Sequence, residues 1–510
     1  MLSKVISSTL IGIDGFKIVV EVDISQGLPA FDIVGLPDSA VKESKDRVRT
    51  AIKNSNIIMP VKRITVNLAP ANIRKEGPSF DLPIAVGILS CIGVIKEETF
   101  KDTMIIGELS LDGTVNHVNG ILPMVYTGKQ SGIKKYIVPY DNIEEAGLVS
   151  GVEIIGIKNL TELIQHLNGN NKINPININI DNLLKNDTLN SDFDFLDVKG
   201  QENVKRALEI AASGMHNIIM IGPPGSGKTM MAKRIPSILP DISFEESIEI
   251  TKIYSVSGIL QNKNSLVTKR PFRAPHHTIS NSAMVGGGRV PKPGEVSLSH
   301  NGVLFLDELP EFSRNVLEEL RQPLEDRQVT ISRVNGTMTF PANIMLVAAM
   351  NPCPCGFYGY SDKCTCSQNT ISKYLNKISG PLLDRIDIQV EASSVDYKEL
   401  SLNNNNESSK DIKERVANAQ KIQIKRYKND NIYFNSQLTA SLIEKYCKLG
   451  SDEKEILKGI FDKLQLSARA YHKILKISRT IADLEESENI AVSHIAEAVQ
   501  LRNLDRKFMF

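Results

Sequence analysis

The chain has 510 residues, which is too long for one hydrophobic core, and we expect about three domains. Its 41% hydrophobic and 23% charged residues are typical of a globular protein. No apolar run approaches the ~20 residues of a membrane-spanning helix, so we expect no membrane partner and a cytoplasmic location. The formal net charge of +1 excludes a globally basic nucleic-acid-binding protein, so any nucleic-acid contact must use local basic patches.

Short strands and one amphipathic helix are predicted near the N-terminus. Residues 16–22 and 64–68 read as strands, and residues 38–53 read as a helix with Asp38 as its N-cap. Lysine and arginine line one face of that helix. This face fits either a solvated charged surface or a surface for nucleic acid.

Residues 74–83 and 106–113 resemble the proteolytic domain of the Lon proteases. The resemblance implies an α+β domain of the ribosomal S5 domain 2-like fold over residues 1–167. Lon proteases use a serine after Gly-Pro, which Ser79 matches, and a lysine as general base. Leu122 stands in the register of that lysine, and an apolar side chain cannot deprotonate a hydroxyl. We therefore expect a domain that is inactive as a protease and provides a scaffold for DNA or subunit contacts.

A nucleotide-binding pattern follows the asparagine-rich residues 168–190, which predict a linker. A buried strand at residues 217–221 leads into the pattern G-x-x-x-x-G-K-[ST] and then into a helix. In such a loop backbone N–H groups surround a polyphosphate, the lysine reaches the β- and γ-phosphates, and the last hydroxyl binds Mg²⁺. The loop residues are Gly222, Pro223, Pro224, Gly225, Ser226, Gly227, Lys228 and Thr229. The pattern predicts binding of ATP with Mg²⁺.

Two later apolar strands end in polar residues that suit phosphoryl transfer. Residues 303–306 lead into Asp307, expected near Mg²⁺, and Glu308, expected to polarise the attacking water. Residues 344–350 lead into Asn351, whose amide either contacts the γ-phosphate or the attacking water, or serves as a plain turn residue.

Two arginines further along the chain are candidates for contact with the transferred phosphate. Arg385 follows a tight turn, and Arg469 lies at the start of a predicted helix. An arginine delivered by a neighbouring subunit stabilises the charge on the equatorial oxygens of the transferred phosphoryl group.

A long insert at residues 248–300 and a predicted hairpin at residues 328–339 carry candidate DNA-binding cations. The hairpin turn is expected at Asn335 and Gly336. The candidate cations are Arg273, Arg289, Lys292 and Arg333. These cations are candidates for contact with the backbone of single-stranded or branched DNA; a purely structural hairpin is the alternative. The insert also contains His276 and His277, but adjacent side chains diverge, so a metal site there is not favoured.

A cluster of cysteines follows Asn351 in the pattern C-x-C-x₈-C-x-C. It consists of Cys353, Cys355, Cys364 and Cys366. Four thiolates so close together can form a structural Zn²⁺ site, although the usual ligand pairs have at least two intervening residues. Free thiols, or redox or iron–sulfur chemistry, are the alternatives.

Together the nucleotide motifs resemble the AAA+ ATPases, in the branch that contains magnesium-chelatase ATPase subunits and MCM helicases. The resemblance implies a P-loop α/β domain over residues 191–395, a linker and start of the lid over residues 396–430, and a helical lid over residues 431–510. It also implies site roles: adenine contact for Val198, Gly200 and Gln201, sensor 1 for Asn351, arginine finger for Arg385 and sensor 2 for Arg469.

A Lon-like domain ahead of such a module, with residues 351–356 and the helical tail, is identified as the ComM/YifB family over essentially the whole chain. Membership implies a bacterial cytosolic ATPase that forms a homo-oligomer, by analogy a hexamer. It also implies DNA branch migration, notably in natural transformation. A magnesium-chelatase subunit that drives metal insertion with partner subunits is the alternative.

Overall fold

The computed structural model describes residues 2–176, 193–260, 266–288, 291–333, 336–360, 363–393, 406–430, 432–464 and 466–502. The contacts divide the chain into two compact units. The first comprises Met1–Thr188 and Ser247–Thr268, and the second comprises Leu189–Glu246 and Lys269–Phe510. Most of the predicted linker at residues 168–190 lies outside the described residues. Among the described helices, none combines the length and the apolar character needed to cross a membrane.

The first unit is built on a seven-stranded mixed sheet. Its strands and a small ribbon are β1 (Leu2–Ile11), β2 (Asp14–Ser25), β3 (Ala30–Val34), β4 (Arg63–Ala69), β5 (Thr103–Ile105), β6 (Glu108–Leu109), β7 (Val115–Asn116), β8 (Lys135–Pro139) and β9 (Glu153–Ile157). The sheet order is β3-β4-β2-β1-β5-β8-β9, and β6 pairs with β7. The strands predicted at residues 16–22 and 64–68 are confirmed within β2 and β4.

Among the described residues, α-helices accompany this sheet, and apolar side chains from helices and strands form its core. They are Ser39–Asn54, Asp81–Cys91, Ile121–Gln130, Ile143–Ala146 and Leu160–Leu167. The predicted N-terminal helix is confirmed, and the Asp38 carboxylate accepts the backbone N–H of Val41 at 2.8 Å, which caps the first turn.

Leu122 is the residue that the Lon resemblance places in the register of the general-base lysine. Leu122 is fully buried, and its backbone N–H donates to the Glu145 carboxylate at 2.9 Å. Lys129 is engaged elsewhere, because its Nζ donates to the Ser150 carbonyl at 2.8 Å. Ser79 itself is buried.

Part of the long insert belongs to the first unit. The helix Phe244–Ser257 carries Ile248, which packs on an apolar cluster that includes Tyr136 and Leu266. The Ser255 hydroxyl donates to the Glu145 carboxylate, and Lys252 Nζ lies 3.7 Å from the Tyr126 ring centroid. The predicted nucleotide-binding domain, residues 191–395, includes this segment.

The second unit contains a five-stranded sheet and two small ribbons. The strands are β10 (Ile218–Ile221), β11 (Phe272–Arg273), β12 (Gly286–Gly287), β13 (Lys292–Pro293), β14 (Val303–Leu306), β15 (Gln328–Arg333), β16 (Gly336–Pro341), β17 (Met345–Met350) and β18 (Ile388–Glu391). The sheet order is β11-β14-β17-β10-β18, and every neighbouring pair is parallel. The carboxyl ends of these strands therefore share one sheet edge, and the amino ends share the opposite edge.

The strands predicted before the phosphate loop, before Asp307 and before Asn351 are confirmed as β10, β14 and β17. The predicted hairpin is also present, but its register pairs Arg333 with Gly336, so Gly336 belongs to the second strand. The intervening residues 334–335 lie outside the described residues.

Helices surround this sheet, and those after residue 406 share its hydrophobic core. The α-helices of the second unit are Glu202–Gly214, Lys228–Ala232, Ile235–Ile238, Asn281–Met284, Glu295–Leu298, Arg314–Glu319, Arg321–Asp326, Gln368–Leu375, Gly380–Leu383, Ser409–Arg426, Ala440–Tyr446, Ser451–Leu464, Ala468–Leu484 and Val492–Gln500, while Phe244–Ser257 begins in this unit.

Candidate functional site

The phosphate loop connects β10 to the helix Lys228–Ala232 at the carboxyl edge of the sheet. Gly225 and Gly227 have φ of 79° and 83°, a left-handed conformation that glycine adopts without steric cost. At Gly222 a Cβ would lie 2.1 Å from the Ala392 carbonyl oxygen, so close packing also requires glycine there. These glycines give the loop the tight backbone path that a polyphosphate cradle needs.

The Lys228 ammonium lies inside this loop. It donates to the carbonyls of Gly222 at 2.8 Å and Pro223 at 2.9 Å, and to the Ser226 hydroxyl at 3.3 Å. Burial lowers the pKa of Lys228, and the nearby Asp307 carboxylate opposes that shift. These hydrogen bonds hold the ammonium at the point where phosphate oxygens bind in such loops, and bound phosphate can replace them.

The predicted Mg²⁺ ligands lie side by side. Thr229 follows the phosphate loop and Asp307 follows β14, and the Thr229 hydroxyl donates to the Asp307 carboxylate at 2.6 Å. One hydroxyl and one carboxylate with open positions for water and phosphate oxygens suit Mg²⁺, which retains several waters in such sites. These residues fit the ion, which would neutralise charge on the transferred phosphate.

Glu308 has an unusual backbone conformation beside this pair. Its φ of 52° and ψ of 48° lie in the left-handed region, which costs an L-residue with a Cβ about 1–2 kcal/mol. Its N–H donates to the Asp307 carboxylate at 2.9 Å, and its carbonyl accepts the N–H of Glu311 at 2.8 Å. The side chain is 57% exposed, so water can reach this candidate general base.

Asn351 follows β17 and contacts the phosphate loop. Its Oδ1 accepts a hydrogen bond from Lys228 Nζ at 3.3 Å. Because β17 lies between β14 and β10, the parallel sheet brings Asn351, Asp307 and Lys228 to one edge. The predicted sensor, the Mg²⁺ ligands and the lysine are therefore neighbours in the structure.

The segment expected to contact adenine also reaches the phosphate loop. Val198 is buried, and Gly200 and Gln201 have φ of 65° and 61°. The Gln201 side-chain amide donates to the carbonyls of Ser226, at 3.4 Å, and Ser393. Of the three predicted residues, Gln201 is thus shown beside the loop.

Arg385 lies at the opposite sheet edge from Lys228. Its carbonyl accepts the side-chain amide of Asn217 at 2.9 Å, and Asn217 directly precedes β10, whereas the phosphate loop directly follows β10. At ~3.3 Å per residue the strand separates Asn217 from Gly222 by about 17 Å. The guanidinium is held at that edge by the Glu325 carboxylate and the Pro381 carbonyl. An arginine side chain cannot span this separation, so Arg385 does not reach the phosphate loop of its own chain.

Arg469 lies beside Arg385 rather than beside the phosphate loop. Its Nη1 is 3.4 Å from the Asp384 carboxylate, and its side chain is 64% exposed. Both arginines line a cavity of about 440 Å³ at the amino edge of the sheet. Further cations in its wall are Arg327, Lys473 and Lys476. Burial lowers the pKa of Arg327 to about 10 and also lowers that of Lys476. The wall also carries the carboxylates of Glu325, Asp326, Asp384 and Asp387.

The candidate DNA-binding cations fall into two groups. Lys292 and Arg333 are exposed, and the ribbon β12–β13 lies against the hairpin β15–β16: a Cβ on Gly287 would be 3.5 Å from Arg333 Nη2. Arg273 lies in β11 and forms a bidentate ion pair with Glu295 at 2.7 Å, so its charge is balanced within the chain. Arg289 lies outside the described residues.

The four cysteines converge although they come from two separate pairs. Their sulfur atoms all lie within 4.8 Å of one another, and those of Cys353 and Cys364 are 3.8 Å apart. With Zn–S bonds of 2.3 Å, tetrahedral geometry places sulfurs about 3.8 Å apart. Backbone N–H groups near Cys355, first that of Phe357, lower the pKa of its thiol to about 6. The donor set fits a Zn²⁺ ion.

This cysteine loop also lies against the phosphate loop. Gly356 has φ of 87°, and a Cβ there would lie 2.4 Å from Pro224 Cδ. The Tyr360 hydroxyl donates to the carbonyl of Ile221, the last residue of β10, at 3.4 Å.

His277, for which a metal role was not favoured, lies close to the candidate general base. His277 Nδ1 lies 3.6 Å from Glu308 Oε2. The two residues are 31 positions apart and meet because β11 pairs with β14. In the sequence this contact is indicated only by the position of His277 shortly after β11, a strand of the sheet that also carries Glu308.

Family models match three stretches of the chain. "Magnesium chelatase, subunit ChlI" matches residues 194–400, "Subunit ChlI of Mg-chelatase" matches residues 20–142, and "Magnesium chelatase, subunit ChlI C-terminal" matches residues 406–502. Over 512 residues the chain is 43% identical to the Competence protein ComM of Haemophilus influenzae, covering 99% of this chain and 98% of that protein. The chain belongs to the ComM/YifB family. The Uncharacterized protein YifB of Escherichia coli is 42% identical over 510 residues, which is 99% of this chain and 98% of that protein.

A second similarity covers one part of this ComM/YifB member. Lon protease 2 of Bacillus subtilis is 34% identical over 131 residues, which is 25% of this chain and 23% of the protease. The predicted fold class, a Lon-like α+β region with a magnesium-chelatase-like AAA+ module and a helical C-terminal region, is confirmed.

Proposed function

We propose that this protein is an ATP-hydrolysing motor that assembles into a ring, by analogy a hexamer, and drives branch migration of DNA in recombination or natural transformation. Its expected location is the cytoplasm. The observation that carries the proposal is the position of Arg385 and Arg469 at the sheet edge opposite Lys228. If a second copy presents this edge to the phosphate loop of the first, its Arg385 and Arg469 would complete the site.

The residues of the two copies have separate tasks in this proposal. One copy binds the triphosphate through Lys228 and the Mg²⁺ ligands Thr229 and Asp307, and Glu308 takes a proton from the attacking water. The neighbouring copy contributes Arg385 and Arg469, which stabilise charge on the transferred phosphoryl group. The proposed domains are a Lon-like domain over residues 1–167, an ATPase domain over residues 191–395 and a helical lid over residues 431–510. Residues 168–190 are the proposed linker, and residues 396–430 are the proposed linker and start of the lid.

DNA is the proposed substrate of the motor. Support comes from the exposed cations Arg333 and Lys292 on two adjoining hairpins, and from the relative whose name is competence protein. A ring would repeat this pair once per subunit and present a basic channel to the phosphate backbone. The Lon-like unit is proposed to lack peptidase activity, because Leu122 replaces the base.

The test of this function is the ATPase rate with no DNA, single-stranded DNA, duplex DNA and a four-way junction, at several salt concentrations. We expect stimulation by branched or single-stranded DNA that declines steeply with salt, since counterions compete with the cations. If no DNA stimulates hydrolysis, the motor proposal is wrong and a chelatase-type subunit that needs protein partners becomes the better interpretation.

We also propose that the four cysteines hold a structural Zn²⁺ ion. Purified protein should then contain about one zinc ion per chain, measured by inductively coupled plasma mass spectrometry. The Cys364→Ser variant should lose most of it, whereas Cys91→Ser, which changes a cysteine of the first unit, should retain it. Wild-type protein purified without chelator that contains no zinc would contradict this proposal.

A further inference from the structure

The C-terminal helices of the second unit form an apolar pocket of about 370 Å³. Its lining includes Leu449, Leu457, Phe461, Ala468 and Tyr471. The rings of Phe461 and Tyr471 meet edge-on, with their centroids 6.2 Å apart. Because Ala468 is exposed, the pocket is open to solvent. A pocket of this composition is stabilised when apolar side chains of a partner replace the water in it.

The apolar pocket adjoins Arg469, one of the two arginines proposed to act on a neighbouring copy. The helix Ala468–Leu484 contributes Ala468 and Tyr471 to the apolar pocket. The same helix contributes Arg469 and His472 to the cavity at the amino edge of the sheet. A copy that presents Arg469 to the phosphate loop of a neighbour therefore brings the apolar pocket to the same interface.

Two exposed apolar side chains lie close to the phosphate loop. Phe193 is 44% exposed and Leu196 is 48% exposed. Their segment is joined to the helix that follows the phosphate loop, because the Arg234 guanidinium donates both to the Asp197 carboxylate at 2.8 Å and to the Met230 carbonyl at 3.0 Å. The exposed pair Phe193 and Leu196 is thus fixed on the side of the nucleotide site that the neighbouring copy is proposed to approach.

The charges beside the two surfaces are of opposite sign. Lys454 and Lys458 are the charged residues that line the apolar pocket, and both are exposed. Asp197 directly follows Leu196, and its side chain is also exposed although it pairs with Arg234. An apolar contact flanked by opposite charges favours one partner and one orientation.

We propose that the apolar pocket of one copy receives Phe193 and Leu196 of a second copy of this chain. The contact is heterologous, since the pocket and the exposed pair are different surfaces, and such contacts generate rings when the rotation closes. This inference rests on the proposed assembly of two copies around each nucleotide. It names the surfaces that hold Arg469 of one copy near the phosphate loop of the next.

The test measures self-association by sedimentation velocity over a range of protein concentrations, with Mg²⁺ and a non-hydrolysable ATP analogue. We expect Leu196→Lys to raise the concentration needed for half-assembly about tenfold or more, because the apolar contact is lost and like charges meet at the pocket. Lys458→Glu alone should also weaken assembly, since it brings a carboxylate toward Asp197. The double variant should assemble better than Leu196→Lys, because the introduced lysine then meets a carboxylate.

The matched control is Ile424→Lys. Ile424 is 44% exposed on the helix Ser409–Arg426, so the control places the same charge at an apolar side chain of similar exposure. It should assemble like the wild-type protein. Binding of a fluorescent ATP analogue by Leu196→Lys checks that the fold beside the phosphate loop is retained.

The outcomes separate this inference from the proposed function. Wild-type assembly of both Leu196→Lys and Lys458→Glu would overturn the inference and leave the proposed ring in place. A double variant that assembles no better than Leu196→Lys would also overturn it. Wild-type protein that stays monomeric under these conditions would overturn the proposed ring and this contact together. The assay contains no DNA, so a failure of the proposed DNA motor would not change what it reports about the contact.

Discussion

The Glu308→Gln variant should bind ATP as tightly as the wild-type protein and hydrolyse it about 10² to 10⁴ times more slowly. Glutamine has nearly the same shape, so the left-handed turn and the hydrogen bond to Asp307 are retained. Its amide cannot accept a proton from water. Binding is measured with a fluorescent ATP analogue, and hydrolysis by phosphate release at saturating DNA.

The control for this variant is Glu311→Gln. Glu311 lies on the same turn as Glu308, and its carboxylate is 3.3 Å from Lys377 Nζ. Since Glu311 has no task in the proposed site, its variant should turn over within about twofold of the wild-type rate, as is usual for exposed surface changes. A wild-type rate for Glu308→Gln would show that another group accepts the proton.

The Arg385→Ala variant is expected to lose about 10³ to 10⁵ in kcat while it still binds ATP. The physical reason is that charge develops on the phosphoryl oxygens during transfer, and the phosphate loop of the same chain has no access to Arg385. Arg385→Lys keeps the charge but loses the planar fork that engages two oxygens, so its rate should lie between those of the wild-type protein and Arg385→Ala.

Substitution at Arg385 also has a structural effect that must be measured. The arginine bonds to Glu325 and to the carbonyls of Pro381 and Arg321, so its loss changes the amino edge of the sheet. Circular dichroism and ATP binding should show that the fold and the phosphate loop are retained. A variant that binds ATP and hydrolyses it at the wild-type rate would refute the arginine-finger assignment.

The sequence predicted the elements at the carboxyl edge of the second sheet because they are local. Each strand there is an apolar run followed directly by its functional residue, and Lys228, Asp307 and Asn351 could be assigned without knowledge of strand order. The Lon-like region was also predicted locally, from residues 74–83, which include Ser79, and residues 106–113.

Features that depend on strand order could not be predicted from the sequence. The sequence does not show that Arg385 and Lys228 lie at opposite ends of the strands, since that depends on β10 and β18 being parallel neighbours. The pairing of Arg273 with Glu295, and of His277 with Glu308, both follow from β11, a two-residue strand too short to show alternation. The packing of residues 247–268 on the first unit depends on tertiary contacts that a local pattern does not encode.

The central claim is that two copies of the chain build each hydrolytic site, and mixing two inactive variants tests it most directly. In equal mixtures of Arg385→Ala and Glu308→Gln, about a quarter of the interfaces combine an intact Glu308 with an intact Arg385 if subunits exchange at random. We predict an ATPase rate in the mixture well above that of either variant alone. Mixtures no faster than their separate components, under conditions in which labelled subunits are seen to exchange, would contradict the claim.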